Sequence, residues 1–252
     1  MAAADAIEAV VLRTLRYGEA DLIAHLHARG EGKRGVIAKG ARKPTSRLGA
    51  RLEPFLVVQL QLIATRSDLA TVRNVEIIDA HEHLRSSWQA QQVGAAALDL
   101  VARLAADGEP NDPMHHLLRS FLTHLDGAAA DPLTVETRGG ALLAAFELKL
   151  LHAIGLTPQL GSCVRCGDTV GIVAYSAADG GVVCSTCRTP EDRYLAAATH
   201  AAAVELLRTA LAEIAGRDVA GLPDAPTRRA ILVDIVAETC TAHAGITARR
   251  PV

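Results

Sequence analysis

Aromatic residues are scarce in this chain: three Phe, three Tyr and one Trp among 252 residues. Half of the residues are hydrophobic, so a large core is available, but Ala, Leu and Val must fill most of it. Residues 1–80 offer only Tyr17 and Phe55, which argues against a surface that holds bases by ring stacking there. Phe55 follows Pro54 at the start of an apolar run and reads as core. Long apolar runs are missing too, since no stretch approaches the ~18 residues of a membrane span. The start, Met1 to Asp5, has no basic segment, and the run Ala9–Leu12 is too short for a signal peptide. The expectation is a cytosolic protein without membrane contact.

Catalytic patterns are also lacking. There is no glycine-rich phosphate loop ending in Lys-Ser/Thr and no Gly-x-Ser-x-Gly. The His-x-Glu that precedes Pro-Cys-x-x-Cys in zinc deaminases is absent. His81-Glu82-His83 is a poor metal site, because helical positions two apart point to different sides. His115, His116 and His124 lie near a helix start and are expected to be exposed. The chain therefore reads as a binding protein, not an enzyme.

What is present is a pattern of four cysteines. Cys163-Val164-Arg165-Cys166 and Cys184-Ser185-Thr186-Cys187 are separated by seventeen residues. Two Cys-x-x-Cys turns at that spacing fit a closed four-thiolate zinc site, hence a structural ion. Gly161, Gly167, Gly180 and Gly181 flank the turns, and Ile172–Tyr175 with Val182-Val183 would form a small hairpin between them, a zinc ribbon at about 160–190. A disulfide pair, a redox dithiol and an iron–sulfur site are the competing readings. Cysteines in a cytosolic chain stay reduced, which favours zinc. The fifth, Cys240, falls in a helical pattern and reads as a small buried hydrophobe.

Charge divides the chain. Residues 1–80 carry 12 Lys and Arg against 9 Asp and Glu, and the remainder carries 14 against 19. The basic first third holds five strand-like runs, at Ile7–Tyr17, from Leu22, at Gly35–Lys39, at Glu53–Ala64 and, after a turn at Ser67-Asp68, at Leu69–Asp79. From Leu22 to Arg29 the alternation sets Leu22, Ala24, Leu26 and Ala28 against Ile23, His25, His27 and Arg29. Five short strands with glycine-rich turns predict a small closed barrel of the OB type, although an SH3-like barrel gives the same pattern.

Inside this region Lys33, Arg34, Lys39, Arg42, Lys43, Arg47 and Arg51 provide seven positive charges in nineteen residues without one acid. Gly40, Pro44, Thr45, Ser46 and Gly49 make its middle a loop. Such a loop suits phosphate, with counterion release supplying most of the affinity. A solvated loop of no particular function is the plainer alternative.

From His81 onward the periodicity is helical. A helix is expected over His81–Asp107, with Leu84 and Trp88 on one face. A second begins at Asp112-Pro113, where Asp112 is the N-cap and proline takes the first helical position. A third begins at Asp131-Pro132 and ends at Gly155. Two more are expected at Tyr194–Ile214 and Pro226–Ala244. The predicted class is an α+β multidomain chain, with an OB-type barrel at 1–80 and an α-helical domain at 81–252 that carries the zinc ribbon.

With these pieces in order, the chain resembles the RecO family of bacterial recombination mediators. The resemblance rests on Tyr17-Gly18-Glu19-Ala20-Asp21, on Ala38-Lys39-Gly40-Ala41-Arg42-Lys43-Pro44 and on Arg51-Leu52-Glu53-Pro54-Phe55. It continues in Phe146-Glu147-Leu148-Lys149-Leu150-Leu151 and in the Gly155–Pro158 turn leading to Cys163. It implies an OB-fold, a helical bundle and a zinc-binding insert. It implies binding of single- and double-stranded DNA and annealing of complementary strands. It also implies, with RecR, the loading of RecA on DNA coated with single-stranded-DNA-binding protein, in the cytoplasm at the nucleoid. The family's basic OB surface carries over to Lys39, Arg42, Lys43, Arg47 and Arg51; Lys33 and Arg34 are added on charge alone. The end Arg249-Arg250-Pro251-Val252 keeps a basic tail, after an unusual version of the family's last helix at Thr239–His243.

Two other readings stay open. A zinc-ribbon adaptor would touch nucleic acid only weakly. A metal-dependent nuclease would need carboxylates near the basic loop, where Glu31 and Glu53 are the nearest acids. The ribbon itself is an unpromising finger. From Leu160 to Pro190, Arg165 and Arg188 balance Asp168 and Asp179, Lys is absent, and four thiolates around Zn²⁺ leave a net −2. It is expected to brace helices instead.

Overall fold

The computed structural model describes residues 6–63 and 69–246. The turn at Ser67-Asp68 and the tail at 249–252 lie outside the described residues. Five strands form the first unit: β1 (Ile7–Tyr17), β2 (Asp21–Ala28), β3 (Gly32–Ala38), β4 (Val57–Ile63) and β5 (Ala70–Asp79). They close in the order β1-β2-β3-β5-β4, with β4 returning to β1. β3 and β5 run parallel, with Val36 opposite Ala70 and Ile37 opposite Thr71, while the other pairs are antiparallel. That order, with one parallel closing pair, gives an OB-like barrel, which alternation alone left open.

The alternation in β2 sorts as its sequence predicts. Ala24, Leu26 and Ala28 fill the barrel with Ala9, Val11, Val36, Val58 and Leu60. The outward side chains are less simple. Val10 pairs with Val57 and with His27, and His27 pairs with Lys33. These four residues form one outward row across four strands, and helices cover it. Val10, Leu12, Phe55 and Val57 belong to the same core as the helical domain. Fully burying a side chain of this size contributes ~1.5–3 kcal/mol. Four of them approach the 5–15 kcal/mol by which whole domains are typically stable. A bulge between Val11 and Arg13 turns β1 away from the helices just beyond this row.

His27 is fully buried and stacks on His115, with ring centroids 5.7 Å apart. His115 is not exposed, as its place near a helix start predicted, but buried between the His27 carbonyl at 3.2 Å and the Glu8 carboxylate at 3.1 Å. Glu8 also accepts from Arg119 at 2.8 Å. Nearby, Asp112 accepts from the Gly30 amide at 2.8 Å.

A short helix α1 (Glu82–Ser86) and then α2 (Trp88–Leu104) replace the single helix expected over His81–Asp107. Ser87 is extended and caps α2 by accepting from the Ala90 amide. The break rotates Trp88 off the Leu84 face and leaves it 70% exposed. The following helices are α3 (Asp112–Ala129) and α4 (Pro132–Ala153). Asn111, not Asp112, caps α3, accepting from the Met114 amide at 2.9 Å. α4 runs through the middle of the bundle, with Ala141 through Phe146 all buried. The expected Tyr194–Ile214 helix is divided at Thr209-Ala210, both extended, into α5 (Ala197–Arg208) and α6 (Leu211–Gly216). The last helical stretch runs as α7 (Ala225–Ala230), a π-helical segment (Ile231–Ala237) and α8 (Glu238–Ala244). No described helix is long and apolar enough to cross a membrane.

Two joints hold the units in register. Among the described residues, Phe55 and His81 are the non-glycine residues with positive φ, 73° and 43°, and the Phe55 carbonyl accepts from His81 Nδ1 at 2.8 Å. Strain of this kind persists only where packing over-determines it; here a Cβ on Gly94 of α2 would lie 2.9 Å from the Phe55 ring. The second joint is Gly32, at φ 69°, where a Cβ would sit 1.9 Å from the Glu109 carbonyl oxygen. Gly18 has a similar φ of 53° but open space around it. Gly18→Ala should therefore cost about 1–2 kcal/mol, the left-handed backbone alone. Gly32→Ala should cost clearly more, about 3 kcal/mol or above, as read from denaturant melts of the two variants.

A second prediction concerns pH. Burial, and then the neighbouring His115, push His27 down to about 4 from its ordinary 6.5. The unfolded chain takes up this proton first, so stability falls as pH drops from about 6.5 toward 4. The loss between pH 7 and 5 should be roughly 2 kcal/mol, and His27→Leu should flatten that limb in melts across the window.

Candidate nucleic-acid surface and metal centre

The basic stretch follows β3 and closes one end of the barrel. It is a built turn. Gly40 takes φ 65°, and its amide donates to Asp21 Oδ1 at 2.7 Å. The Arg42 amide donates to the Ala20 carbonyl at 2.8 Å, and the Ser46 amide to the Lys43 carbonyl at 2.9 Å. Ala41 and Leu52 anchor the segment in the barrel core. Gly49 packs so close to Ala41 that a Cβ would come within 2.6 Å of its carbonyl oxygen. The loop is thus tied to the β1–β2 turn.

The seven basic residues divide into two sets. Lys39, Arg42, Lys43 and Arg47 are exposed. Arg42 touches the Gly18 and Glu19 carbonyls only loosely, at 3.4 and 3.2 Å. Lys33, Arg34 and Arg51 are half-buried and committed to the fold. Lys33 Nζ donates to the Ala102 carbonyl at 2.9 Å and pairs with Asp107 at 3.3 Å, which makes it part of the barrel–helix seam. Arg34 pairs with Glu31, and Arg51 donates to the Val75 carbonyl at 2.8 Å. The acids that flank the stretch in sequence are similarly occupied, Glu31 by Arg34 and Glu53 by Arg85. Sequence distance alone could not separate the sets; strand register does, because Lys33 opposes His27 on the covered row.

The four cysteines come together. Each of Cys163, Cys166, Cys184 and Cys187 offers a sulfur, and all four sulfurs lie within 4.8 Å of one another. None is in a disulfide. A tetrahedral ion with bonds of ~2.3 Å to sulfur has S···S edges of about 3.8 Å, and Cys166 and Cys184 have their sulfurs 3.7 Å apart. The donor set therefore fits a metal ion. The turns that deliver it are tight: the Gly167 amide bonds the Cys163 carbonyl at 2.8 Å and the Arg188 amide bonds that of Cys184 at 3.0 Å. The Cys184 amide, foremost among nearby amides, draws the Cys163 thiol down to about 6, while the Cys166 thiol is pushed up to about 12 and that of Cys187 is raised, so without an ion the cluster favours one thiolate and holds its other protons. Among the described residues no other group of three or more His, Cys, Asp or Glu is gathered in this way. His81 is instead buried against Phe55, and His83 pairs with Asp126.

Around this cluster, β6 (Ile172–Ser176), β7 (Gly181–Cys184) and β8 (Arg193–Tyr194) form a small sheet in the order β7-β6-β8. Arg165 is spent inside it. The guanidinium reaches Asp192 at 2.6 and 2.9 Å, Asp179 at 2.9 Å and the Cys187 carbonyl at 2.7 Å. Hydrogen bonding from Arg165 is the main reason that the Asp192 carboxyl titrates at about 2. The ribbon grips the helices through Tyr175 to Thr239 at 2.6 Å, Arg193 to Asp234 at 2.7 Å and His243 to the Ala177 carbonyl at 2.6 Å. Tyr175 and Val182 join the helical core.

Comparison with known proteins gives a consistent result. The family model described as recombination protein O N terminal matches residues 2–81, and that described as recombination protein O C terminal matches residues 85–246. A relative named DNA repair protein RecO from Anaeromyxobacter dehalogenans is 34% identical over 227 residues, covering 88% of this chain and 86% of its own. Those of Bacillus pumilus and Geobacter sulfurreducens, with the same name, are each 35% identical, over 71% of this chain and 67% and 71% of theirs.

The ribbon contacts predict the order of losses when a ligand is removed. Cys163→Ser should empty the metal site by elemental analysis. Stability should drop by about 3 kcal/mol or more, lowering the melting temperature by roughly 6–12 °C. DNA affinity of the still-folded fraction should be unchanged.

Proposed function

The chain belongs to the RecO family of DNA repair proteins, and from that premise we propose that it binds single- and double-stranded DNA and anneals complementary strands. With RecR, it would promote RecA loading on DNA coated with single-stranded-DNA-binding protein, at the nucleoid. The observation that carries this reading is the set of four exposed cations, Lys39, Arg42, Lys43 and Arg47, on a loop pinned to the β1–β2 turn. A fixed basic surface holds phosphates without recognising sequence. Held side by side on it, two backbones repel each other less, and bases that are not stacked on rings stay free to pair. Annealing of this kind needs no catalytic acid or base. The ion in the four-cysteine site is zinc with a structural role, as its closed thiolate set favours.

A docking place for the tail of single-stranded-DNA-binding protein is supported by a hollow of about 490 Å³ among α3, α4 and α5. Pro113, Leu117, Ala153 and Leu207 line it with Lys149, His152 and Thr157. That chemistry suits an apolar peptide bearing carboxylates.

Four phosphate contacts correspond to a log–log salt slope between about −2.8 on single strands and −3.6 on duplex. Arg42→Glu with Lys43→Glu should abolish binding and annealing while the melting temperature and metal content hold. A wild-type slope near zero, or full annealing by the folded double variant, would reject the reading. The coated-DNA assay with and without RecR then tests the mediator step.

A further inference from the structure

The turn Tyr17-Gly18-Glu19-Ala20-Asp21 joins β1 to β2 and sets two acids beside the four exposed cations of the basic loop. Charge of that sign opposes phosphate, and at physiological salt it is felt over ~8 Å. The two acids are held differently. Glu19 is exposed, and it meets the loop through its backbone carbonyl, which accepts from Arg42 at 3.2 Å. Asp21 is half-buried, and it meets the loop through its carboxylate, which accepts from the Gly40 amide at 2.7 Å.

That bond sits where the loop leaves the sheet. Leu22 opposes Ala38 in the last pair at this end of the β2–β3 ladder, so Asp21 and Lys39 are the first residues beyond it. One residue later Gly40 takes φ 65°, a left-handed value that turns the chain off the strand direction. Two bonds tie the turn to the β1–β2 hairpin, from the Gly40 amide to Asp21 Oδ1 and from the Arg42 amide to the Ala20 carbonyl at 2.8 Å. The first of them depends on a side chain. Beyond it Ala41 packs in the barrel core, and the Lys43 amide donates to the Gly40 carbonyl at 3.0 Å. The direction in which Lys39, Arg42 and Lys43 leave the barrel is thus set at Gly40. A carboxylate suits this task better than a neutral acceptor, because a hydrogen bond to an ionised group is roughly twice as strong.

We propose that Asp21 is a positioning residue of the DNA-binding surface: it holds the Gly40 amide, and through it the loop, in the arrangement that phosphates meet. The proposal rests on the DNA-binding reading of the loop and adds to it a residue of the opposite charge. A loop that occupies its binding arrangement only part of the time binds more weakly by that fraction. Asp21 therefore raises affinity by order and lowers it by charge, and order is the larger effect. Salt separates the two. Repulsion between an acid and phosphate fades as salt screens it. Loss of preorganisation does not fade, because the same phosphates are contacted once the loop is ordered.

The test uses the full-length protein and fluorescence anisotropy on an oligo-dT strand and a blunt duplex over a range of salt. Asp21→Ala removes acceptor and charge together and should weaken binding to both DNAs roughly five- to tenfold, with an unchanged log–log salt slope. Asp21→Asn keeps the acceptor and loses the charge, and should restore wild-type affinity or exceed it. Glu19→Gln removes a charge that positions nothing and should tighten binding up to about twofold at low salt only. Amide exchange reads the loop directly: Asp21→Ala should speed exchange at Gly40 and Arg42 about tenfold and leave the paired amides of β2 and β3 as they were. Melting temperature and metal content check folding. If Asp21→Ala does not fold, wild-type exchange at Gly40 and the affinity of Asp21→Asn decide. The proposal is overturned by an Asp21→Ala protein that binds as tightly as the wild type, by Asp21→Asn as weak as Asp21→Ala, or by a wild-type Gly40 amide that exchanges as freely as an exposed one. In each of these cases loss of binding by the loop charge reversal still upholds the wider reading. A wild-type protein that binds neither DNA rejects that reading itself.

Discussion

The rest of the molecule depends on one buried row. Val57, Val10, His27 and Lys33 lie side by side on four strands of the barrel, and the helical domain closes over them. Two of the four are apolar and fully buried, one is a buried histidine and one is a lysine whose charge is satisfied at the edge. The polar members fix the angle at which the units meet: hydrogen bonds to the Ala102 carbonyl and stacking on His115 work in only one orientation. With Leu12 and Phe55 added, the seam merges with the bundle core. Contacts on this scale are comparable to the stability of a domain, which makes barrel and bundle one cooperative body. The loop and the open face of the barrel therefore have a fixed frame behind them.

The same row explains what was legible in the sequence. Strand alternation identified the barrel-filling side of β2 correctly, because Leu22, Ala24, Leu26 and Ala28 contrast with their neighbours at period two. It could not tell which outward residues face water and which face protein. His27 and Ile23 look equivalent in the alternation, yet one is buried under α3 and the other lies on the open face. Helix existence was legible and helix breaks were less so. Ser87 and Thr209-Ala210 interrupt long apolar patterns without Gly or Pro, and capping by a lone serine leaves little trace before the packing is known. The gathering of the four cysteines was legible, since two Cys-x-x-Cys turns at this spacing bring their sulfurs together.

Electrostatics gives the parts different work. The ribbon was the obvious finger by motif, but its best cation, Arg165, is enclosed by Asp179 and Asp192. With the thiolates counted, its surroundings repel phosphate. Its other polar groups are used on the helices: Tyr175, Arg193 and the Ala177 carbonyl each reach the final helical stretch. The middle of that stretch is a π-helical segment, in which the backbone is wider than an α-helix. Asp234 on it meets Arg193, and Thr239 just beyond it meets Tyr175. The ribbon thus closes the side of the bundle that an irregular helix would leave loose.

The acidic remainder of the chain, 14 basic residues against 19 acids, limits where a polyanion can lie. At physiological salt a charge is felt over ~8 Å, so DNA following the helical domain would run along surface of its own sign. The barrel end away from the seam is free of that constraint. It carries the loop cations, Arg13 and Arg16, and its two nearest free acids are reduced to Glu19 once Asp21 is bound to Gly40.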